Sequence, residues 1–196
     1  MIVDLQLFGG RGGSSGGGGV FGTASRSNSI SSTAKKANPN YSKGREYQVN
    51  CQRVVYAAEM LRRGYNVEAK AAILNKVDKP ASQWKDGFKN QTWEHMGDVG
   101  DTKNTVEKNI ISTMKGYGPN ARGIVYVAWE GGGAHVFNIE TDRRGNVRAY
   151  DAQPGDTSRN ILHNYISAAR PEYVRLSRVD NLQPNTKVLR GMIKKK

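Results

Sequence analysis

The residues best suited to covalent chemistry are few and far apart. The chain holds a single cysteine, Cys51, which opens the run NCQRVVYAAEMLRRG at residues 50–64. Val54, Val55, Ala58 and Leu61 recur at helical spacing, Ala57 and Met60 widen that stripe, and Gly64 supplies a left-handed helix end. The spacing predicts an amphipathic helix that starts between Gln48 and Cys51. A thiol in its first turn meets the positive end of the helix dipole and unpaired backbone N–H groups, which favour thiolate over thiol and stabilise a developing oxyanion. A lone cysteine is more often a small buried hydrophobe, so its partners decide the matter. Far downstream, His135 stands near the head of GGGAHVFNIE at 131–140, and Asp151 follows VRAY at 147–150. A helix-opening cysteine, a strand-opening histidine and a strand-ending aspartate come in the order that Cys-His-Asp nucleophilic catalysis needs: nucleophile, general base, and the group that fixes the tautomer of the base.

These three residues need a framework to meet. Residues 123–129 (GIVYVAW) read as a buried strand, the glycines at 131, 132 and 133 as a turn, 134–141 as its antiparallel partner, and 147–151 as a third strand after a turn at 143–146. His135 lies early in one strand and Asp151 late in its antiparallel neighbour, so both reach the same end of the sheet. The glycines would also let a substrate approach closely. Before these strands, Tyr65 to Ala69 alternates as a short strand, 71–101 reads as a short helix with loops, and Asn104 or Thr105 caps a helix whose apolar face is Val106, Ile110, Ile111 and Met114. After them come a helix lined by Ile161, Leu162, Tyr165, Ile166 and Ala169 and a closing strand from Tyr173 to Val179. The expected architecture is α+β, with the cysteine helix packed on an antiparallel meander.

The run NCQRVVYAAEMLRRGYNVEA, the GGGAHVFNIE strand and the YDAQPG strand end together resemble the papain-fold toxin and glutamine-deamidase domains of polymorphic toxins and phage head-associated proteins. The resemblance spans about residues 47 to 155. It implies a papain-like fold, Cys51 as nucleophile, His135 as general base and acid, Asp151 as the residue orienting it, and Gln153 as a substrate-contacting or supporting residue. It also implies a protein glutamine as the substrate, with no cofactor and no metal; peptide cleavage and transglutamination use the same triad. The pattern of papain itself is absent, since Arg45 stands six places before the cysteine and Gln52 follows it. The oxyanion donors expected here are the Cys51 backbone N–H and the side chain of Gln48 or Asn50. The opening MIVDLQLFGGRGGSSGG, separately, resembles the start of phage minor head proteins, which suggests a particle-associated context.

Composition bounds the rest. Residues 1–40 read as a disordered Gly/Ser-rich basic leader, with Leu5, Leu7 and Phe8 as a candidate docking peptide, residues 41–190 as the catalytic domain, and 191–196 as a basic tail. Thirty Lys and Arg against seventeen Asp and Glu give a net charge of +13, which draws the chain toward DNA, a capsid or another acidic surface. A non-enzymatic DNA- or capsid-binding protein is therefore the rival reading. A single cysteine forms no internal disulfide, and no apolar run is long enough to cross a bilayer. A soluble protein of a reducing compartment, the host bacterial cytoplasm or a virion delivered there, is expected. His95, His135 and His163 fall in no metal-ligand spacing, which disfavours a metal-dependent nuclease.

Overall fold

The computed structural model describes residues 20–22 and 24–196; the Leu5, Leu7 and Phe8 patch and the glycine-rich run to residue 19 lie outside them. In chain order the elements are α1 (Ile30–Ala37), α2 (Cys51–Arg62), β1 (Val67–Ala69), α3 (Lys79–Ser82), β2 (Glu94–His95), α4 (Lys103–Gly116), β3 (Arg122–Ala128), β4 (Ala134–Thr141), β5 (Val147–Tyr150), α5 (Ile161–Ser167), β6 (Arg175–Arg178), α6 (Thr186–Met192) and β7 (Ile193–Lys195).

The expected α+β arrangement is present. Five antiparallel strands form a sheet in the order β2-β6-β3-β4-β5. Strands β3, β4 and β5 are the expected meander. The chain then crosses through α5, and β6 pairs with the free edge of β3, so Val125 faces Leu176 on one side and Phe137 on the other. Both sheet faces are covered, which is why seven of the eight residues of β4 are buried. Val136 and Tyr150 point into a core with Val54, Val55, Ala58 and Leu61 of α2. Phe137 and Ile139 point the other way, against Val106, Ile110 and Met114 of α4 and Ile161 and Ile166 of α5. The cap of α4 is Thr102, whose hydroxyl accepts from the Thr105 N–H, slightly earlier in the chain than expected.

The cysteine helix is enclosed all round, because every residue from Arg53 to Leu61 is buried. Its charged residues are therefore paired, as a low-dielectric setting requires. Arg53 meets Asp78 and the Gly191 carbonyl, and Glu59 takes both Arg63 and Arg122. The face that an amphipathic helix usually turns to water is covered here by α1 and α6. Gly64 ends the helix at φ +90°, and a Cβ there would stand 2.1 Å from the Ser25 carbonyl oxygen. The segment before α1 can lie close because Gly64 has no side chain.

Two boundaries need correction. The packed structure does not begin near Asn40, since Phe21, Thr33, Ala34 and Ala37 are buried and α1 is capped by Ser29, which accepts from the Ser32 N–H. An eight-residue helix of Ile, Ser, Thr, Ala and Lys reads as leader by composition, and only its small-residue face, fitted against α2, makes it part of the fold. Likewise residues 191–196 are not a free tail: Ile193, Lys194 and Lys195 pair with Ala69, Glu68 and Val67. The Lys194 ammonium lies 3.0 Å from Glu68, so a run that reads as a basic tail is an edge strand.

A leucine at Ala34 tests the first correction. Overpacking a closed helix contact costs about 1–3 kcal/mol, so Ala34→Leu lowers the urea midpoint by that equivalent while Lys35→Ala leaves it in place. Equal midpoints for both variants and wild type would mean that α1 does not pack in solution.

Candidate active site

Cys51 is the first residue of α2, and Asn50 is its N-cap. The cap is unusual in one respect: the Asn50 side chain makes no bond to the helix N–H groups it precedes. It turns inward, where its Nδ2 donates to Asn38 Oδ1 at 3.2 Å and to the Lys70 carbonyl at 3.1 Å. The N–H groups of Cys51 and Gln52 have no hydrogen-bond partner among the described residues and present the positive end of the helix beside the thiol.

The sheet supplies the other two groups. In the β4–β5 register Asn138 faces Tyr150, so Asp151 falls next to Phe137 and on the same face as His135, two residues along. From there Asp151 Oδ2 lies 2.8 Å from His135 Nε2. The aspartate is held by a small loop, its backbone exchanging both hydrogen bonds with Asp156. Its Oδ1 accepts the Gln153 N–H at 2.9 Å, and its Oδ2 also accepts the Tyr165 hydroxyl at 2.5 Å. His135 is 8% exposed and Asp151 2%, which leaves the pair largely screened from water. With Nε2 engaged, the remaining ring nitrogen is the one free for Cys51.

Burial pulls against charge on His135, but the hydrogen-bonded, negatively charged Asp151 and the neighbouring Cys51 outweigh it, and the imidazole is raised to about 9. The ring lies between aromatics, stacked against Trp129 at 6.1 Å and 13° and near Tyr165 at 5.0 Å.

Cys51, His135, Asp151, Gln48 and Gln153 line one open cleft of about 360 Å³, with Tyr41, Val49, Trp129, Pro154 and Tyr165 around them. The predicted residues thus come together, but in two groups. Gln48 is exposed at the rim, with its Nε2 3.3 Å from the Tyr41 carbonyl. Asn50 and Gln153 are interior: Gln153 Nε2 donates to Asn50 Oδ1 at 3.3 Å, and both are buried. Both amide protons of Asn50 are committed within the protein, so the expectation of Asn50 as an oxyanion donor is corrected. The glycines at 131 and 132 have open space around them; Gly132 and Gly133 take φ +89° and +87° to let the turn close on Trp129. His95 is exposed, as is His163, which meets Glu107 at 3.1 Å. Among the described residues no group of three or more His, Cys, Asp or Glu is placed to hold a metal, and no helix is long and apolar enough to cross a membrane.

Sequence reasoning missed Asn38. At the end of α1 its Nδ2 reaches the Tyr47 carbonyl (2.8 Å), the Gln153 carbonyl (2.9 Å) and Asn50 Oδ1 (3.4 Å), joining the first helix to both sides of the site. It carries no motif and stands in what reads as leader. Trp129 and Tyr165 are visible in the sequence, but as strand and helix core.

A helix that opens on a cysteine, set against an antiparallel sheet carrying a histidine and an aspartate at one end, defines a papain-like α+β protein. The family model described as papain fold toxin 1, glutamine deamidase, matches residues 49–156, more than half of the chain, and the chain belongs to that family. The matched span opens two residues before Cys51 and closes on the Asp156 that braces Asp151. No curated protein and no solved structure matches the chain.

Two outcomes follow from this geometry. Asn38→Ala takes the side-chain donor from the Tyr47 and Gln153 carbonyls and costs roughly 1–3 kcal/mol, read as a lower urea midpoint. For His135, a folded value raised above about 6.5 means a stabilising charge that is fully present below that value and lost as pH climbs through about 9. Wild-type stability therefore declines across that window, and Asp151→Asn flattens the decline; a parallel decline in both proteins would remove His135 as its source.

Proposed function

We propose that the protein deamidates a glutamine side chain in a protein substrate, with Cys51, His135 and Asp151 as its catalytic triad. The observation that carries this reading is the meeting of the three in one cleft, in a chain whose family is described as glutamine deamidases. With His135 raised to about 9, the ring is protonated at neutral pH, and the reaction runs through Cys51 as thiolate, the nucleophilic form. The sulfur adds to the carboxamide carbon, and the oxyanion is stabilised by the Cys51 N–H at the uncapped helix end, aided by Gln48 at the rim. Collapse breaks the C–N bond, and His135 gives its proton to the leaving nitrogen, releasing ammonia. The neutral ring then takes a proton from water as the water attacks the thioester; the C–S bond breaks, the new carboxyl leaves and the thiolate beside the imidazolium is restored. Asp151 touches no substrate and holds the ring. Gln153 supports the site from inside by tying Asn50 to the Asp151 loop.

A second reading rests on the charge of +13: contact with DNA, a capsid or another acidic surface, in a phage or toxin setting. Such binding weakens steeply with salt and is compatible with the enzymatic reading. A nucleophile that must stay reduced fits a reducing compartment.

Incubation with glutamine-bearing proteins, followed by ammonia measurement and peptide mass spectrometry, tests the enzymatic reading. Conversion of glutamine to glutamate by wild type, none by Cys51→Ala, and a loss of about a hundredfold or more in His135→Ala are expected. The rate should fall as pH rises through about 9. Cut peptides or glutamine–lysine crosslinks in place of glutamate would reassign the leaving group or the acceptor, and activity in Cys51→Ala would overturn the mechanism.

A further inference from the structure

Oδ2 of Asp151 carries two donors, His135 Nε2 at 2.8 Å and the Tyr165 hydroxyl at 2.5 Å. Tyr165 comes from α5, on the far side of the sheet from the cysteine helix and beyond the family match, which ends at residue 156. Its ring lies 5.0 Å from both His135 and Phe137 and 6.4 Å from Trp129. The phenol is therefore wedged beside the imidazole with its oxygen on the same carboxylate oxygen that holds the imidazole.

We infer that Tyr165 is a positioning residue for the proposed reaction: its hydroxyl fixes the Asp151 carboxylate and shares the charge of Oδ2, setting how strongly Asp151 stabilises the His135 imidazolium. The inference rests on the catalytic reading above.

Three features give the hydroxyl this role. First, Asp151 would otherwise have one side-chain donor and one backbone donor, Gln153 N–H on Oδ1. A carboxylate with a free lone pair rotates or admits water, whereas the third donor locks its plane. Second, burial and the Asp151 charge push the Tyr165 phenol well above its usual range, so it stays protonated through the working range and only donates. Third, the two donors on Oδ2 compete. A short bond from a neutral phenol draws charge from the oxygen and moderates the ion pair with the imidazolium, as a hydrogen bond to the charged form of an acid does. An imidazolium over-stabilised by Asp151 at Nε2 is a poor acid at its other nitrogen toward departing ammonia, and matching its acidity to the working pH improves transfer. The ionisable groups that surround the pair are Cys51 from α2, Asp156 from the loop after β5, and Tyr41 from the segment before α2. The side chains of these three do not hydrogen-bond the Asp151 carboxylate.

Tyr165→Phe keeps the ring and removes only the hydroxyl. The measurement is the rate of Cys51 alkylation by iodoacetamide from pH 5 to 11 in the full chain, with the His135 ring followed by NMR over the same range. Neither readout needs a substrate. In wild type the imidazolium-dependent reactivity ends near pH 9. In Tyr165→Phe, Oδ2 is left to His135 alone, so this upper limb and the NMR titration both move to higher pH, by several tenths of a unit or more. With a glutamine substrate kcat then falls while KM is kept. Superimposable profiles in wild type and Tyr165→Phe, both folded by circular dichroism, would reduce Tyr165 to a packing residue and overturn the inference. Failure of the underlying catalytic reading looks different: Cys51 shows no reactivity that depends on His135, in wild type and Tyr165→Phe alike. If Tyr165→Phe does not fold, Tyr165→Met, which fills the space with a flexible apolar side chain and no donor, is put through the same two readouts; an unshifted limb in that variant also counts against the inference.

Discussion

Three buried carboxamides hold the two halves of the site together. Asn38, Asn50 and Gln153 come from the end of α1, the start of α2 and the loop after β5, and their mutual bonds join segments more than a hundred residues apart. Each has almost no slack. Asn50 spends both amide protons on Asn38 and Lys70 while its oxygen serves Asn38 and Gln153. In a dry interior a lost member leaves others unsatisfied, at a cost near the desolvation penalty of each orphan. The placement of Cys51 relative to His135 is thus set by polar groups with few alternatives, whereas hydrophobic packing alone tolerates small slips.

The surrounding core follows from that demand. A helix whose first residue must meet a sheet end cannot lie loosely on the surface, and α2 is buried from Arg53 to Leu61. Full burial forces its charges into pairs, hence Arg53 with Asp78 and Glu59 with Arg63 and Arg122. Arg122 belongs to β3 and Arg62 reaches Glu140 of β4, so the Glu59–Arg122 and Arg62–Glu140 pairs bind helix to sheet near the opposite end from the cysteine. The helix is pinned at its head by amides and the Arg53 guanidinium and at its tail by the pairs to the sheet. Paired charges of this kind add little net stability over apolar packing, but they define one register between helix and sheet.

Much of this is legible in the chain. Helical spacing after Cys51, the period-two strands and the turns between them point to the α+β class and bring His135 and Asp151 to one end of the sheet, because an antiparallel register follows from turn length and alternation. What stays hidden depends on packing between distant segments. Residues 30–37 and 193–195 carry leader-like and tail-like composition, and their order comes from surfaces supplied by α2 and β1. Tyr165 sits in the apolar stripe of its helix, where the pattern records burial but not the partner of a hydroxyl. Asn50 reads as a donor to substrate because side chains at an N-cap usually face the helix end, and only the position of Asn38 and Lys70 turns it away.

That turn has a physical meaning for the site. An asparagine cap normally satisfies a helix N–H and stabilises the helix by about 0.5–2 kcal/mol. Here the cap residue is present but its side chain is diverted into the buried network, so the bonds to Asn38 and Lys70 offset the missing cap bond. Among the described residues nothing bonds the N–H groups of Cys51 and Gln52. A helix start stabilised from behind, by a side chain pointing inward, keeps its positive end available in front, where a negative group gains most from dipoles that need no reorganisation. The imidazolium on the other side of the thiol adds a second fixed positive charge, held by Asp151. Local stability surrendered at the cap is thereby converted into a preorganised electrostatic environment around Cys51, and the buried amides keep that environment from collapsing onto itself.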